Sequence, residues 1–337
     1  MQNRIRFVLI GAGAIAQSYR QAFENHPVAR LAAVVDVRLE AAAAMAESVG
    51  CKAFADLESL FAADPGIDAA IVCTPPDTHE ALAVSLAERG IHIICEKPFA
   101  LTSESAERMI AAANAHRVVI TMASKFRYVD DIIRARSIVS SGILGETILF
   151  ENAFTSRVDM SNRWNARPEI SGGGVLIDNG THSVDIMRYF LGELAEVQVL
   201  EGRRVQALEV EDTVRVFTRS RSGVMGSIDL SWSLNKELDY FLNIYGSRGT
   251  ILVGWKESRY RQDSSREWVV FGKGYNKVQA FSGIIANFSR HITTKEPLLI
   301  THEDALASVH MIESAYRSMN ENRWTHVPSP NEVESIL

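Results

Sequence analysis

The chain has 337 residues, 47% hydrophobic and 23% charged, with a net charge of −6 at pH 7. That length allows two domains and a large core. An acidic balance with no Lys/Arg-rich stretch argues against a nucleic-acid surface, and no apolar run approaches the roughly 18 residues of a membrane span. Cys51, Cys73 and Cys95 lack metal-ligand spacing and read as reduced core residues of a cytoplasmic protein. Phe7 to Ala16 follows two arginines but has no cleavage context, so it reads as part of the fold rather than a leader.

In chain order, β-formers at 5–10 end at Gly11, and Gly11-Ala12-Gly13-Ala14-Ile15-Ala16 leads into a helix expected at 17–25. Strand, glycine turn and helix make a dinucleotide fingerprint, with alanine at the third small position. Gly11 lets the chain turn sharply, Gly13 lets a pyrophosphate approach the backbone, and Ala16 lets helix and strand pack closely. The helix start offers N–H groups and a positive dipole end to phosphates. The next strand, 31–35, ends in Asp36, 23 residues after Gly13. The fingerprint wants an acid there for the adenosine ribose hydroxyls. Such an acid repels a 2′-phosphate and favours NAD over NADP, a preference that Arg38 softens.

An alanine-rich helix at 39–49 closes at Gly50, and a short strand at 52–55 precedes a helix at 57–62. A buried strand at 69–73 leads into Thr74-Pro75-Pro76-Asp77-Thr78-His79. There Thr78 is expected to cap the helix that runs to Arg89, with His79 on that helix. The strand 91–95 is followed by Glu96-Lys97-Pro98. Thr102 caps a helix with Ala106, Met109, Ile110 and Ala113 on one face, and 118–122 is the last strand of the series. Strands alternating with helices predict a doubly wound parallel sheet, an α/β Rossmann domain over 1–123. Gly11, Asp36, Thr74 and Lys97 all follow strand ends, so they line the edge where such sheets bind ligands.

The pattern changes near 123–126. A helix at 130–141 and a strand at 148–157 precede a polar stretch, 159–174, and a helix at 175–191. Strands then follow one another at 197–204, 213–219, 224–233, 240–245, 250–253 and 268–271, with a hairpin turn at Ser220-Arg221-Ser222-Gly223. Serial strands predict a mainly antiparallel open sheet in an α+β domain over 124–337, which ends in helices at 283–293 and 302–319. In helix 175–191, Asp178 and His182 are four apart and share a face, with Val184, Met187 and Leu191 on a core stripe. Asp185 is placed to orient the imidazole. From the residues alone, this is as consistent with a satisfied polar face as with a catalytic pair. A metal site is disfavoured because no second His has ligand spacing.

Together these motifs resemble the Gfo/Idh/MocA family, the glucose–fructose oxidoreductase and inositol dehydrogenase group. They are the glycine turn, Asp36, Thr74 to His79, Glu96-Lys97-Pro98, and Gly173-Gly174 through Asp178 and His182 with Asp185. Tyr245 to Thr250 is similar to the family's sheet turn. The resemblance covers essentially the whole chain. It implies a hydride transfer between a carbohydrate or polyol hydroxyl carbon and nicotinamide, and homodimer or homotetramer contacts through the C-terminal sheet. It also implies a cofactor set of Gly11, Gly13, Ala14, Ile15, Asp36, Val37, Arg38, Thr74, Pro75, Pro76, His79, Glu96 and Lys97, and no metal. Lys97 binds the reacting hydroxyl, Asp178 positions it, and His182 is the base for oxidation or the acid for reduction. Lys125, Arg127, Trp164 and Asn165 join Asp178 and His182 around the substrate, with Trp164 stacking on a sugar face. Two other functions fit the architecture. A glycoside hydrolase using NAD for transient oxidation would accumulate no NADH. A non-catalytic dinucleotide-binding regulator need not keep Lys97, Asp178 and His182.

Overall fold

Apolar runs without alternation make strands buried on both faces, and helices between them force parallel pairing. The structure, a computed structural model, describes residues 4–63, 66–265 and 267–329. It divides into two compact units, Met1–Tyr128 with Lys277–Ala305, and Val129–Asn276 with Leu306–Leu337.

In the first unit, β1 (Ile5–Ile10), β2 (Ala29–Val35), β3 (Lys52–Phe54), β4 (Ala69–Val72), β5 (His92–Glu96) and β6 (Ile120–Ala123) form a parallel sheet ordered β3-β2-β1-β4-β5-β6. The intervening helices are α1 (Ala14–Phe23), α2 (Leu39–Val49), α3 (Leu57–Ala62), α4 (His79–Glu88) and α5 (Ser103–Ala115). This is the Rossmann order, with its topological switch between β1 and β4. The helix α1 begins three residues before position 17, because Gly13 already takes an extended N-cap conformation (φ −74°, ψ −166°). Thr102 caps α5 by accepting from Ser105 N at 3.2 Å. Thr78 does not cap α4. Its hydroxyl donates to Pro75 O at 2.7 Å and lies 2.6 Å from the Thr74 hydroxyl, and α4 grows out of a 3-10 turn at Pro76–Thr78.

The second unit holds α6 (Asp130–Ser140), β7 (Thr147–Thr155), α7 (Pro168–Ser171), α8 (Val175–Leu191), β8 (Leu194–Glu201), β9 (Thr213–Ser220), β10 (Met225–Ser231), β11 (Tyr240–Gly246), β12 (Gly249–Gly254), β13 (Ser258–Gln262) and β14 (Val269–Gly272). A short strand β15 (Thr325–His326) completes a nine-stranded sheet ordered β14-β13-β12-β11-β7-β10-β9-β8-β15. All neighbours are antiparallel except β7 and β10, which are parallel because α8 and two strands separate them in the chain. The helix α8 lies on one face, where a Cβ on Gly180 would meet Leu230, and Thr218 donates to the Met187 sulfur at 3.2 Å. α8 is buried almost all round, not along one stripe, and Leu191 is only half-buried.

Two long helices, α9 (Lys277–Thr294) and α10 (His302–Glu321), follow. A single cut into 1–123 and 124–337 does not describe the compact units, because α9 belongs to the first. Phe281 packs on Tyr19 of α1 at 4.4 Å between ring centroids, and Phe288 lies 6.3 Å from Phe7 of β1. Among the described residues, no helix is long and apolar enough to cross a membrane.

Candidate active site

The strand-end edge of the first unit is built by two glycines with different duties. Gly11 has φ +93°, and a Cβ there would come within 3.0 Å of the Cys73 backbone, so the fold itself requires glycine. Gly13 has φ −74°, and a Cβ there would meet nothing within 4 Å. Its bareness serves no protein neighbour and leaves a cradle for a ligand. No side chain caps the start of α1, so its first N–H groups remain available to an anion. Ala16 is fully buried, as its packing role demands.

Asp36 stands at the end of β2. Its Oδ2 accepts from Ala12 N at 2.7 Å, and its Oδ1 accepts from Arg38 N at 2.9 Å. The carboxylate therefore holds the glycine turn while keeping lone pairs for ribose hydroxyls. The Arg38 guanidinium is 3.7 Å away and largely exposed. Val37, beside them, is 91% exposed, an apolar side chain on an open edge.

Thr74 and Pro75 are partly exposed at the end of β4, and Pro76 is buried. His79 does not reach the ligand edge. It is buried, with Nε2 3.0 Å from Thr74 O and Nδ1 3.0 Å from Pro98 O. Its ring ties the loop after β4 to the turn after β5. Burial lowers its pKa, against the carbonyl contacts.

Glu96 is also turned away from the edge. Tyr19 donates to its Oε1 at 2.9 Å, and Lys97 N donates to its Oε2 at 3.1 Å. Burial pushes this carboxyl's pKa up, while the charges of Lys97 and Lys125 and its hydrogen bonds pull against that. Glu96 thus anchors the backbone of half-buried Lys97, which precedes a cis proline. Lys125 is half-buried, its Nζ 5.3 Å from the Phe126 ring centroid. Arg127, expected among substrate donors, is buried. Its guanidinium pairs bidentately with Asp304 at 3.0 and 3.2 Å and donates to Leu299 O at 3.2 Å, fastening the first turn of α10 and the chain just before it.

In the second unit, α8 carries Asp178 in its first turn, half-buried, and His182 one turn on, buried. Sequence reasoning missed what starts this helix. Gly174 N and Leu176 N both donate to Glu211 Oε1 at 3.0 Å, Val175 N donates to Glu211 O at 2.9 Å, and Tyr316 OH donates to the same Oε1 at 2.8 Å. Trp164 and Asn165 sit in a 3-10 turn, Trp164–Ala166, with Trp164 exposed and Asn165 half-buried. Among the described residues, no group of three or more His, Cys, Asp or Glu is arranged to hold a metal ion.

The bare Gly13, the uncapped α1 and the fixed Asp36 carboxylate fit a dinucleotide. Residues 5–124 match the profile described as an oxidoreductase family with an NAD-binding Rossmann fold, and residues 132–252 match a GFO/IDH/MocA C-terminal domain. The chain is 27% identical to an inositol 2-dehydrogenase of Rhizobium meliloti, over 95% of this chain and 98% of that one. It is 26% identical to a levoglucosan dehydrogenase of Pseudarthrobacter phenanthrenivorans, over 76% and 75%. A solved levoglucosan dehydrogenase in complex with NADH and levoglucosan has the same fold, with a TM-score of 0.89 at 22% identity over 97% of this chain and 100% of that one.

Proposed function

The chain belongs to the Gfo/Idh/MocA family of oxidoreductases with an NAD-binding Rossmann fold, and from that membership we propose that it transfers a hydride between a hydroxyl-bearing carbon of a sugar, inositol or related polyol and NAD. The inositol and levoglucosan dehydrogenases among its relatives support the substrate class. The observation that carries the reading is one chain holding both an open, acid-tipped dinucleotide edge and a helix that presents Asp178 and His182.

When bound, NAD supplies the hydride acceptor at nicotinamide C4. Gly13 and the start of α1 hold the pyrophosphate, Asp36 the adenosine ribose, and Val37 an adenine face, with Thr74 and Pro75 along the same edge. Lys97 donates a hydrogen bond to the reacting hydroxyl, Asp178 accepts one from it, and His182 takes its proton as the hydride leaves the carbon. In reduction the same groups work in reverse, and His182 returns the proton. Lys125 and Asn165 contact further hydroxyls, and Trp164 stacks on the ring.

The open face of the second sheet carries Leu149, Phe217, Met225, Tyr245 and Leu252 as half-buried or exposed side chains, which supports a homodimer or homotetramer through that face. Free thiols at Cys73 and Cys95 suit the cytoplasm. The direct test is His182→Ala. Turnover is expected to fall by about two or more orders of magnitude while NADH affinity stays within about twofold. Near-normal turnover would remove His182 from the proton transfer.

A further inference from the structure

We propose that Glu211, together with Tyr316, is a positioning residue for Asp178 and His182: it fixes where α8 begins and thereby where both side chains stand. This rests on the roles given to Asp178 and His182 above.

One residue takes three successive N–H groups at the start of the helix. Gly174 N and Leu176 N donate to Glu211 Oε1, each at 3.0 Å, and Val175 N donates to Glu211 O at 2.9 Å. The first bond within the helix follows at Asp178 N, 3.1 Å from Gly174 O. Tyr316, on α10, donates to the same Oε1 at 2.8 Å. The contact is too close for side chains. A Cβ on Gly173 would fall 1.9 Å from the Tyr316 hydroxyl oxygen, and one on Gly174 would fall 2.0 Å from Glu211 O. The three consecutive glycines from 172 thus give room at two positions for the Glu211 backbone carbonyl and the Tyr316 phenol, brought from distant parts of the chain.

Ordinary helix capping does not need this. A Ser, Thr, Asp or Asn at the N-cap satisfies the first amides locally, and α8 has no side-chain cap of its own. Glu211 is buried instead, and burial pushes its pKa up against the pull of the amides and the phenol. Burying a carboxylate is costly. The return is a helix start pinned at three successive amides. Slipping an α-helix by one residue moves it about 1.5 Å and turns its side chains by about 100°. A misplacement of about 1 Å costs on the order of a hundredfold in rate. Asp178 lies in the turn that Glu211 anchors, and His182 lies one turn beyond.

The test uses full-length Glu211→Ala, Glu211→Gln and Tyr316→Phe, with Asp178→Asn and His182→Ala as references. Kinetics are measured with NAD and whichever of myo-inositol, levoglucosan and glucose the wild type oxidises, and NADH affinity is measured alongside. Glu211→Ala is expected to lower kcat about 10- to 100-fold with NADH Kd within about twofold. Glu211→Gln, whose amide oxygen accepts the same bonds, is expected to recover most of that loss, and Tyr316→Phe to lose several-fold. A folded Glu211→Ala with wild-type kcat overturns the proposal, as does a Glu211→Gln no better than Glu211→Ala. If Glu211→Ala does not fold, Tyr316→Phe decides, because it leaves Glu211 in place on its three amides: unchanged kcat overturns the proposal, and a selective fall in kcat supports it. Wild-type rates in Asp178→Asn and His182→Ala, or wild-type silence toward all three substrates, sink the underlying reading instead.

Discussion

The two glycines of the first turn separate what the fold needs from what the ligand needs. Gly13 has a backbone conformation open to any L-residue, and a methyl group there meets no protein atom within 4 Å. Gly13→Ala is therefore expected to leave stability unchanged or raise it by about 0.4–1 kcal/mol, by restricting the unfolded chain. On the proposed assignment, the same methyl would stand in the pyrophosphate's place. Overpacking of this kind costs about 1–3 kcal/mol, a rise of about 5- to 150-fold in NADH Kd. At Gly11 the balance reverses. With φ +93° and the Cys73 backbone 3.0 Å from a built Cβ, alanine costs at least about 1–2 kcal/mol in backbone strain alone. That lowers Tm by about 2–8 °C for a unit of this size. Calorimetric melting and NADH titration of both variants form the assay. Wild-type NADH affinity in a folded Gly13→Ala protein would refute the assignment of that space to phosphate.

Three further outcomes follow from the same edge and its supports. Asp36→Ala removes a charged acceptor worth about 1.5–3 kcal/mol. kcat/KM with NAD is expected to fall about 10- to 100-fold while the ratio of NADP to NAD use rises, and an unchanged ratio would show that Asp36 does not select the cofactor. Arg127→Ala strands Asp304 and is expected to cost about 3 kcal/mol, the low end for a broken buried pair because Asp304 keeps partial exposure. Tm should drop by about 6–12 °C with substrate KM unaltered, whereas a raised KM at an unaltered Tm would return Arg127 to the substrate contacts. Burial lowers the pKa of His26, His79 and His92 below 6.5. The unfolded chain then binds more protons than the native one, so their contribution to stability is full above about pH 6.5 and is lost as pH falls toward the native values. A proton NMR titration in which His79 protonates at or above pH 6.5 would contradict this.

The first sheet was legible because its strands are local apolar runs separated by glycine turns, and each ligand-edge residue follows directly from the end of its own strand. Helix 175–191 was legible for the same reason, since its bounds are marked by Gly174 and Gly192. Apart from the local ones at Thr78 and at the start of α1, the misses are matters of partnership across the chain. Nothing near residue 281 signals that Phe281 packs on Tyr19, so α9 reads as part of the second domain. The strand β13 is Ser-Arg-Tyr-Arg-Gln, held by its neighbours and by Arg259 and Arg261 over the Trp268 ring, without apolar alternation. Arg127 looks like any arginine near a ligand edge until Asp304, far along the sequence, claims it. His79 and Glu96 belong to motifs of the edge but serve it from beneath. Glu211 and Tyr316 carry no motif, and the glycines from 172 to 174 are the only local trace of the contact they make with α8.

The most direct test of the dehydrogenase reaction is whether NADH accumulates when the protein meets NAD and an inositol or sugar. A polyol- or sugar-dependent rise in NADH absorbance is expected, stronger with NAD than NADPH formation with NADP. Substrate consumed with no NADH, or measurable NAD binding with no turnover across inositols, aldoses and anhydrosugars, would contradict it and point to transient oxidation or to a regulator.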